Sequence, residues 1–362
     1  MECPSAGPEA CFGLIHGERM ETVTAVLMIL AGFYVGWNIG ANDAANCIGT
    51  TVGAQIISYR KAVAIMAVFV ILGGMIQGHH VMETIGNGIV IAEQQAWEEH
   101  NGEEAGAVFR SRFPDDRLPD KAILVALLSA GLFVTLATFS SLPVSTSQAI
   151  VGAVAGAGVG IVGLNFTYFK LGVLLKIAGA WVVSPLLTLL LAFAFYRMLG
   201  LFLGRVSTLT RSRVISIAAV VTAAYVSYSL GANDVGNAIG PLLARFPEKG
   251  HWLALLGGVS LAIGAMTFGQ RVTTTVGKSI TPLDYGGALS AQLAAALGVH
   301  FFAMAGLPVS TSQAIVGGVV GVGLSKGMSS VGRRRLYGIF LGWVAMPLCA
   351  GVFSAVLYRL LP

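Results

Sequence analysis

Six stretches of this chain run long enough to cross a lipid bilayer without a single Asp, Glu, Lys or Arg: residues 22 to 42, 62 to 82, 177 to 196, 214 to 233, 250 to 270 and 336 to 358. A helix needs about 20 apolar residues to span about 30 Å of hydrocarbon, roughly twice what a barrel strand uses. Inside lipid every backbone group must be satisfied internally, so runs of this length predict membrane helices. With 11% charged residues, 55% hydrophobic residues and a mean hydropathy of +0.78, the chain lies outside the range of soluble domains. Two further uncharged blocks, 122 to 169 and 285 to 325, are about twice as long. Each holds two passes, or one pass and a segment that enters and turns back.

Both long blocks contain the same eleven residues, LPVSTSQAIVG, from Leu142 to Gly152 and from Leu307 to Gly317. GANDAANCIG, from Gly40, matches GANDVGNAIG, from Gly231, and GHHVMETIGNGI, from Gly78, aligns with GQRVTTTVGKSI, from Gly269. The spacing between these two landmarks is 38 residues in each half. From there to the LPVSTSQ motif the first half takes 64 residues and the second 38, the difference being an acidic insertion at 93–120. A fourth pair, Trp181 to Pro185 and Trp343 to Pro347, completes the register. The chain is read as an N-terminal extracytoplasmic segment 1–21, a first transmembrane repeat 22–200, a basic cytoplasmic linker 201–213 and a second repeat 214–362.

Charge orients the copies. Arg197, Arg205, Arg211 and Arg213 flank the central connection, and Lys326, Arg333, Arg334 and Arg335 a later one, so both are expected in the cytoplasm. The loop of the first copy equivalent to the latter, 162 to 170, holds Lys170 alone. Equivalent loops on opposite sides mean an inverted repeat with an odd number of crossings per copy. The expected fold is therefore an all-α integral membrane protein of two inverted-topology repeats with discontinuous, re-entrant helices, about 10–12 membrane segments, and both termini outside. Residues 1–21 lack the order of a signal peptide. The net charge of +5 serves orientation and implies no nucleic acid. Cys47 and Cys349 read as small core residues, and Cys3 and Cys11 could pair if the N-terminus is outside.

In each LPVSTSQ motif the proline breaks the preceding helix. The hydroxyls of Ser145, Thr146 and Ser147, and of Ser310, Thr311 and Ser312, then stand where a new helix begins, at Gln148 or Gln313. A helix start offers unpaired N–H donors and a positive dipole end, so two of them facing each other suit a tetrahedral oxyanion. Hydroxyls in membrane helices more often bond to the preceding turn or a neighbouring helix. Identity at all eleven positions of both copies favours the binding role. In GAND, Asp43 and Asp234 lie in or beside apolar runs, where a carboxylate is costly and usually functional. With Asn42, Asn46, Asn233, Asn237, Gln148 and Gln313 they form an oxygen-rich set suited to a hard monovalent cation; Gly40 and Gly231 would leave backbone carbonyls exposed, and Asn with Gly could also mark a turn at a helix end. A cation beside an anion lowers the desolvation cost of each, which is a physical basis for co-transport. Arg271 and Lys278 are expected to snorkel to the interface, Glu83 to lie near a surface, and His79, His80 and His300 to be poor ligands.

These residues resemble the inorganic phosphate transporter (PiT) family, whose members carry phosphate with sodium ions or protons. The resemblance implies a symporter, often dimeric, with phosphate held by Ser145, Thr146, Ser147, Ser310, Thr311 and Ser312 while Asp43 and Asp234 serve cation and substrate. The family motif often reads STTH where both copies here read STSQ, which favours sodium over protons; His80 stands where an arginine is usual. Sulfate permeases of the same family are the alternative. Hydrogen phosphate can donate a hydrogen bond to a buried carboxylate and sulfate cannot, so phosphate is favoured. An intramembrane aspartyl protease would also bury two aspartates, but leaves the twin STSQ motifs without a role. An anion channel would need no carboxylates.

Overall fold

The computed structural model describes residues 8–53, 55–91, 106–113, 115–139, 145–205, 207–270, 284–327 and 333–361. Eleven α-helices occur among them: α1 (Pro8–Gly53), α2 (Tyr59–Asn87), α3 (Gly106–Arg112), α4 (Asp120–Phe139), α5 (Thr146–Val162), α6 (Leu171–Leu203), α7 (Thr208–Leu243), α8 (Gly250–Thr267), α9 (Tyr285–Met304), α10 (Thr311–Lys326) and α11 (Arg333–Leu360). No strand accompanies them among the described residues; a single bridge joins Val90 to Phe169. Seven of the helices are long and apolar enough to cross a membrane, and the chain is a multi-pass membrane protein. Only 204–207 separate α6 from α7.

Close helix contacts at glycine give the helix directions. A Cβ on Gly73 would sit 2.0 Å from the carbonyl of Tyr228, and one on Gly86 2.6 Å from that of Gly240, so α2 and α7 run the same way. Likewise Gly36 meets Ser260 and Gly269 meets Ala44, so α1 and the segment leading out of α8 run parallel. By contrast Gly32 packs on Ile239 and Leu242, while Asp43, eleven residues later, faces Asp234. The two GAND helices, α1 and α7, are therefore antiparallel. Equivalent helices pointing in opposite directions are what an inverted repeat requires.

The long uncharged blocks resolve as two hairpins. At one end of the molecule α4 begins, with Lys121 Nζ donating to the carbonyl of Leu361 (2.6 Å), and α5 ends, with Arg112 Nη1 donating to that of Ile161 (3.0 Å). The same end holds the close of α2 and the start of α6, joined by Ile91 N to Tyr168 O (2.8 Å) and Lys170 Nζ to Asn87 O (3.0 Å). At the opposite end Asp284, before α9, pairs with Lys326, the last residue of α10, and Tyr196 near the end of α6 reaches the same carboxylate. Each hairpin thus enters and leaves at one end, the two from opposite ends. Six of the seven long apolar helices lie outside the hairpins, α9 being an arm of the second; with the four hairpin arms they make ten segments among the described residues.

The last helix of each copy carries the hairpin of the other. Gly152 and Gly156 of α5 pack on the backbone of Pro347 and Gly351 in α11, and Gly317 and Gly321 of α10 pack on that of Pro185 and Leu189 in α6. Trp181 Nε1 donates to the carbonyl of Pro308 at the second hairpin's tip (2.9 Å). The tip is reached through Gly306, whose φ of +69° lies in the left-handed region. On their other faces α6 and α11 expose Leu175, Leu186, Leu190, Val344, Leu348 and Val352, as helices lined by lipid do. Cys349 lies on that outer side and is exposed, so the expectation of a core residue fails there, whereas Cys47 is buried. Residues 1–7, with Cys3, fall outside the described residues, as do the Cys11 side chain, most of the acidic insertion, Pro143, Arg271 and Lys278.

Candidate functional site

Both hairpin tips begin helices as their hydroxyls require, two residues earlier than the glutamines suggested. Ser145 takes an extended conformation (φ −97°, ψ 111°), and its Oγ accepts from the N–H of Gln148 at 3.2 Å. Ser310 repeats this (φ −89°, ψ 117°), accepting from Gln313 N at 3.2 Å. The N–H groups of Thr146 and Ser147, and of Thr311 and Ser312, stand before the first intrahelical bonds. All eight residues from Ser145 to Gln148 and from Ser310 to Gln313 are buried.

GAND lies inside α1 and α7, not at a turn or helix end. Gly40 and Gly231 expose no carbonyl; they admit neighbouring backbone, since a Cβ would lie 1.9 Å from Leu261 O and 2.1 Å from Val70 O respectively. A continuous helix places the aspartate and the asparagine three residues on along one face. Asn46 Nδ2 donates to Asp43 Oδ1 and Asn237 Nδ2 to Asp234 Oδ1, each at 2.7 Å. Each carboxylate then meets the opposite copy's helix start: Thr146 Oγ1 donates to Asp234 Oδ1 at 3.3 Å, and Thr311 stands beside Asp43. Asn237 Nδ2 also reaches Ser147 Oγ at 2.7 Å, and Ser147 Oγ donates to Val309 O at 2.6 Å, joining the two tips.

Five buried side-chain oxygens in this region have no hydrogen-bond partner: Asp43 Oδ2, Asp234 Oδ2, Asn237 Oδ1, Gln148 Oε1 and Gln313 Oε1. Every one is an acceptor. Each buried orphan costs about 1–3 kcal/mol, more where it is charged, so the cluster calls for a species that brings positive charge or protons. The helix starts supply the opposite complement, N–H donors for an anion.

Against protein families, residues 39–213 and 204–354 match the model described as the phosphate transporter family, which covers most of the chain. The chain belongs to the phosphate transporter family. Relatives span its length: a protein of Pyrococcus abyssi with the provisional name phosphate permease is 28% identical over 93% of this chain and 97% of its own. The inorganic phosphate transporter 2-1 of Arabidopsis thaliana chloroplasts is 28% identical over 91% of this chain and 70% of its own. A solved structure described as "The sodium-dependent phosphate transporter" is 27% identical, with a TM-score of 0.77 over 93% of this chain and 98% of that one. Membership in a transporter family removes the protease reading.

Within this family member the candidate residues foreseen from sequence gather at one place, and the two first asparagines of GAND make further contacts of their own. Asn233 is bound on both amide atoms to the backbone of Val309 while also lying beside Asp234, and Asn42 Nδ2 donates to Thr138 Oγ1. Sequence reasoning missed Val309 and Thr138 because one acts through backbone and the other lies outside every motif. Its one available signal was the position of Val309 inside the duplicated stretch. His300 is no ligand: Nε2 donates to Gln77 Oε1 (2.5 Å) and Nδ1 accepts from Tyr225 (2.7 Å). Glu83 is exposed.

Proposed function

We propose that this protein imports inorganic phosphate by symport with sodium, through a single site built from both copies. The observation that carries the reading is the set of five orphaned buried acceptors beside two capped helix starts. Asp43, Asp234, Asn237, Gln148 and Gln313, with Asn46 holding Asp43 in place, receive sodium; the N–H groups and hydroxyls of Ser145–Ser147 and Ser310–Ser312 receive phosphate. Sodium loads first, because two buried carboxylates repel an anion until a cation offsets their charge. Once loaded, the cation favours the anion, and the bound pair crosses with less desolvation than either ion alone. A carboxylate oxygen left over accepts the proton of hydrogen phosphate, which selects against sulfate. Likeness to a transporter described as sodium-dependent supports sodium over protons, as does glutamine in place of a titratable residue at Gln148 and Gln313.

Hairpins that enter from opposite ends give each side of the membrane its own gate. Rocking one about the fixed GAND helices exposes the site to one side while the other stays packed. The ends carrying Asp284 and Lys326 face the cytoplasm in this reading, with the bases of the central connection; the N- and C-termini lie outside, in the cytoplasmic membrane. The test is uptake of labelled phosphate and labelled sulfate into proteoliposomes under an inward sodium gradient. Phosphate accumulation with sulfate excluded is expected; accumulation of sulfate alone refutes the substrate assignment.

A further inference from the structure

The eight residues of the two GAND motifs do not all address the same thing. Asp43 and Asp234 face the opposite copy's helix start, through Thr311 and Thr146 respectively, and Asn237 does the same through Ser147. The first asparagines also reach the hairpin of their own copy, Asn233 while remaining beside Asp234. Asn233, fully buried, donates from Nδ2 to Val309 O at 2.8 Å and accepts at Oδ1 from Val309 N at 3.1 Å. Both amide atoms are thereby used on one residue of the second tip, immediately before the cap Ser310. Asn42 Nδ2 donates to Thr138 Oγ1 at 2.9 Å, near the end of the first hairpin's entering arm. One turn of helix thus grips its own hairpin on one side and the other copy's on another.

We propose that Asn42 and Asn233 are positioning residues that anchor each copy's hairpin to its GAND helix, and that Asn233, whose amide oxygen is taken by the N–H of Val309, is not a cation ligand. The chemistry of Asn233 carries this most directly. A carboxamide is the side chain that can donate to a backbone carbonyl and accept from the same residue's N–H at once. Val309 O also accepts from Ser147 of the other tip, so Asn233 fixes the point at which the two helix starts meet. Displacing that point moves the N–H donors of Thr311 and Ser312 relative to those of Thr146 and Ser147. The bonds that Asp234 accepts from Asn237 and Thr146 do not pass through that point.

The inference rests on the transport reading, and uptake by the unaltered protein is the control that fails that reading alone. In proteoliposomes, phosphate KM is measured at saturating sodium and sodium half-saturation at saturating phosphate, for Asn233→Ala, Asn233→Asp, Asn42→Ala, Thr138→Val and the Asn42→Ala/Thr138→Val pair. Asn233→Ala is expected to raise phosphate KM about tenfold or more, the scale of two lost hydrogen bonds, with sodium half-saturation changed by less than about threefold. Asn233→Asp, which cannot donate to Val309 O when ionised, is expected to be no better than alanine. Thr138→Val is expected to reproduce Asn42→Ala, and the pair to be no worse than either alone. The opposite pattern overturns the proposal: sodium half-saturation raised more than phosphate KM by alanine and restored by aspartate, a superior cation ligand. An unaltered phosphate KM in Thr138→Val beside an impaired Asn42→Ala overturns it equally, and does so even where the Asn233 variants fail to fold.

Discussion

Replacing Asp234 by asparagine separates stability from coupling. Oδ1 of Asp234 accepts from Asn237 at 2.7 Å and Thr146 at 3.3 Å, and an amide oxygen in its place keeps both bonds. Oδ2, buried without a partner, becomes an NH2 group in a cluster whose other orphans are all acceptors. Without sodium the variant therefore loses an orphaned charged acceptor worth roughly 1–3 kcal/mol and should melt higher than the native protein. Sodium closes or reverses this difference. The native protein gains about 2.7 kcal/mol when sodium reaches a hundred times its Kd. A lost buried charge partner costs about 3–5 kcal/mol, a weakening of roughly 160- to 5000-fold, so the variant should gain almost nothing. Thermal melting in detergent, titrated with sodium chloride against choline chloride, reads both halves, and uptake by the variant should be abolished. A sodium-dependent rise in the variant with the native midpoint refutes the role given to this carboxylate.

Gly40→Ala should destabilise by about 1–3 kcal/mol through overpacking, because its Cβ would lie 1.9 Å from Leu261 O, whereas Gly49→Ala, with nothing within 4 Å, should be neutral or stabilising by melting. Ser145→Ala and Ser310→Ala each remove a cap worth about 1 kcal/mol and should raise phosphate KM in uptake assays more than they lower the melting temperature. Asp120→Cys and Val162→Cys should react with an impermeant maleimide from one side of oriented vesicles, and Asp284→Cys and Lys326→Cys from the other. A hairpin whose two ends label from opposite sides would mean an odd number of crossings in place of a loop that returns to its own side.

Charge-free length and internal repetition made the fold class legible, because lipid tolerates few alternatives to a helix and a duplicated motif fixes its partner. What they left open was whether blocks 122 to 169 and 285 to 325 cross twice or turn back; the pair Asp284 and Lys326 puts both ends of the second hairpin at one end of the molecule, and the bond from Ser147 to Val309, between tips entered from opposite ends, shows each stopping part-way. The candidate residues were legible as chemistry and less so as roles. GAND looked compatible with a turn since glycine and asparagine favour one, yet Gly40 and Gly231 are needed for contact with Leu261 and Val70, residues far away in the chain. Trp181 was a landmark without a purpose until its indole met Pro308 of the other copy. For the GAND glycines and for Trp181 the missing information was a cross-copy contact, which no local pattern encodes.

If two capped helix starts and two buried carboxylates form one symport site, sodium alone must be able to drive phosphate uphill. Proteoliposomes holding equal phosphate inside and out, with an inward sodium gradient as the only driving force, put this to the proof. Internal phosphate should rise above external, and should fall back when a sodium ionophore collapses the gradient. Phosphate that stays equal on both sides under the gradient, or that accumulates regardless of it, would mean that no such site couples the two ions.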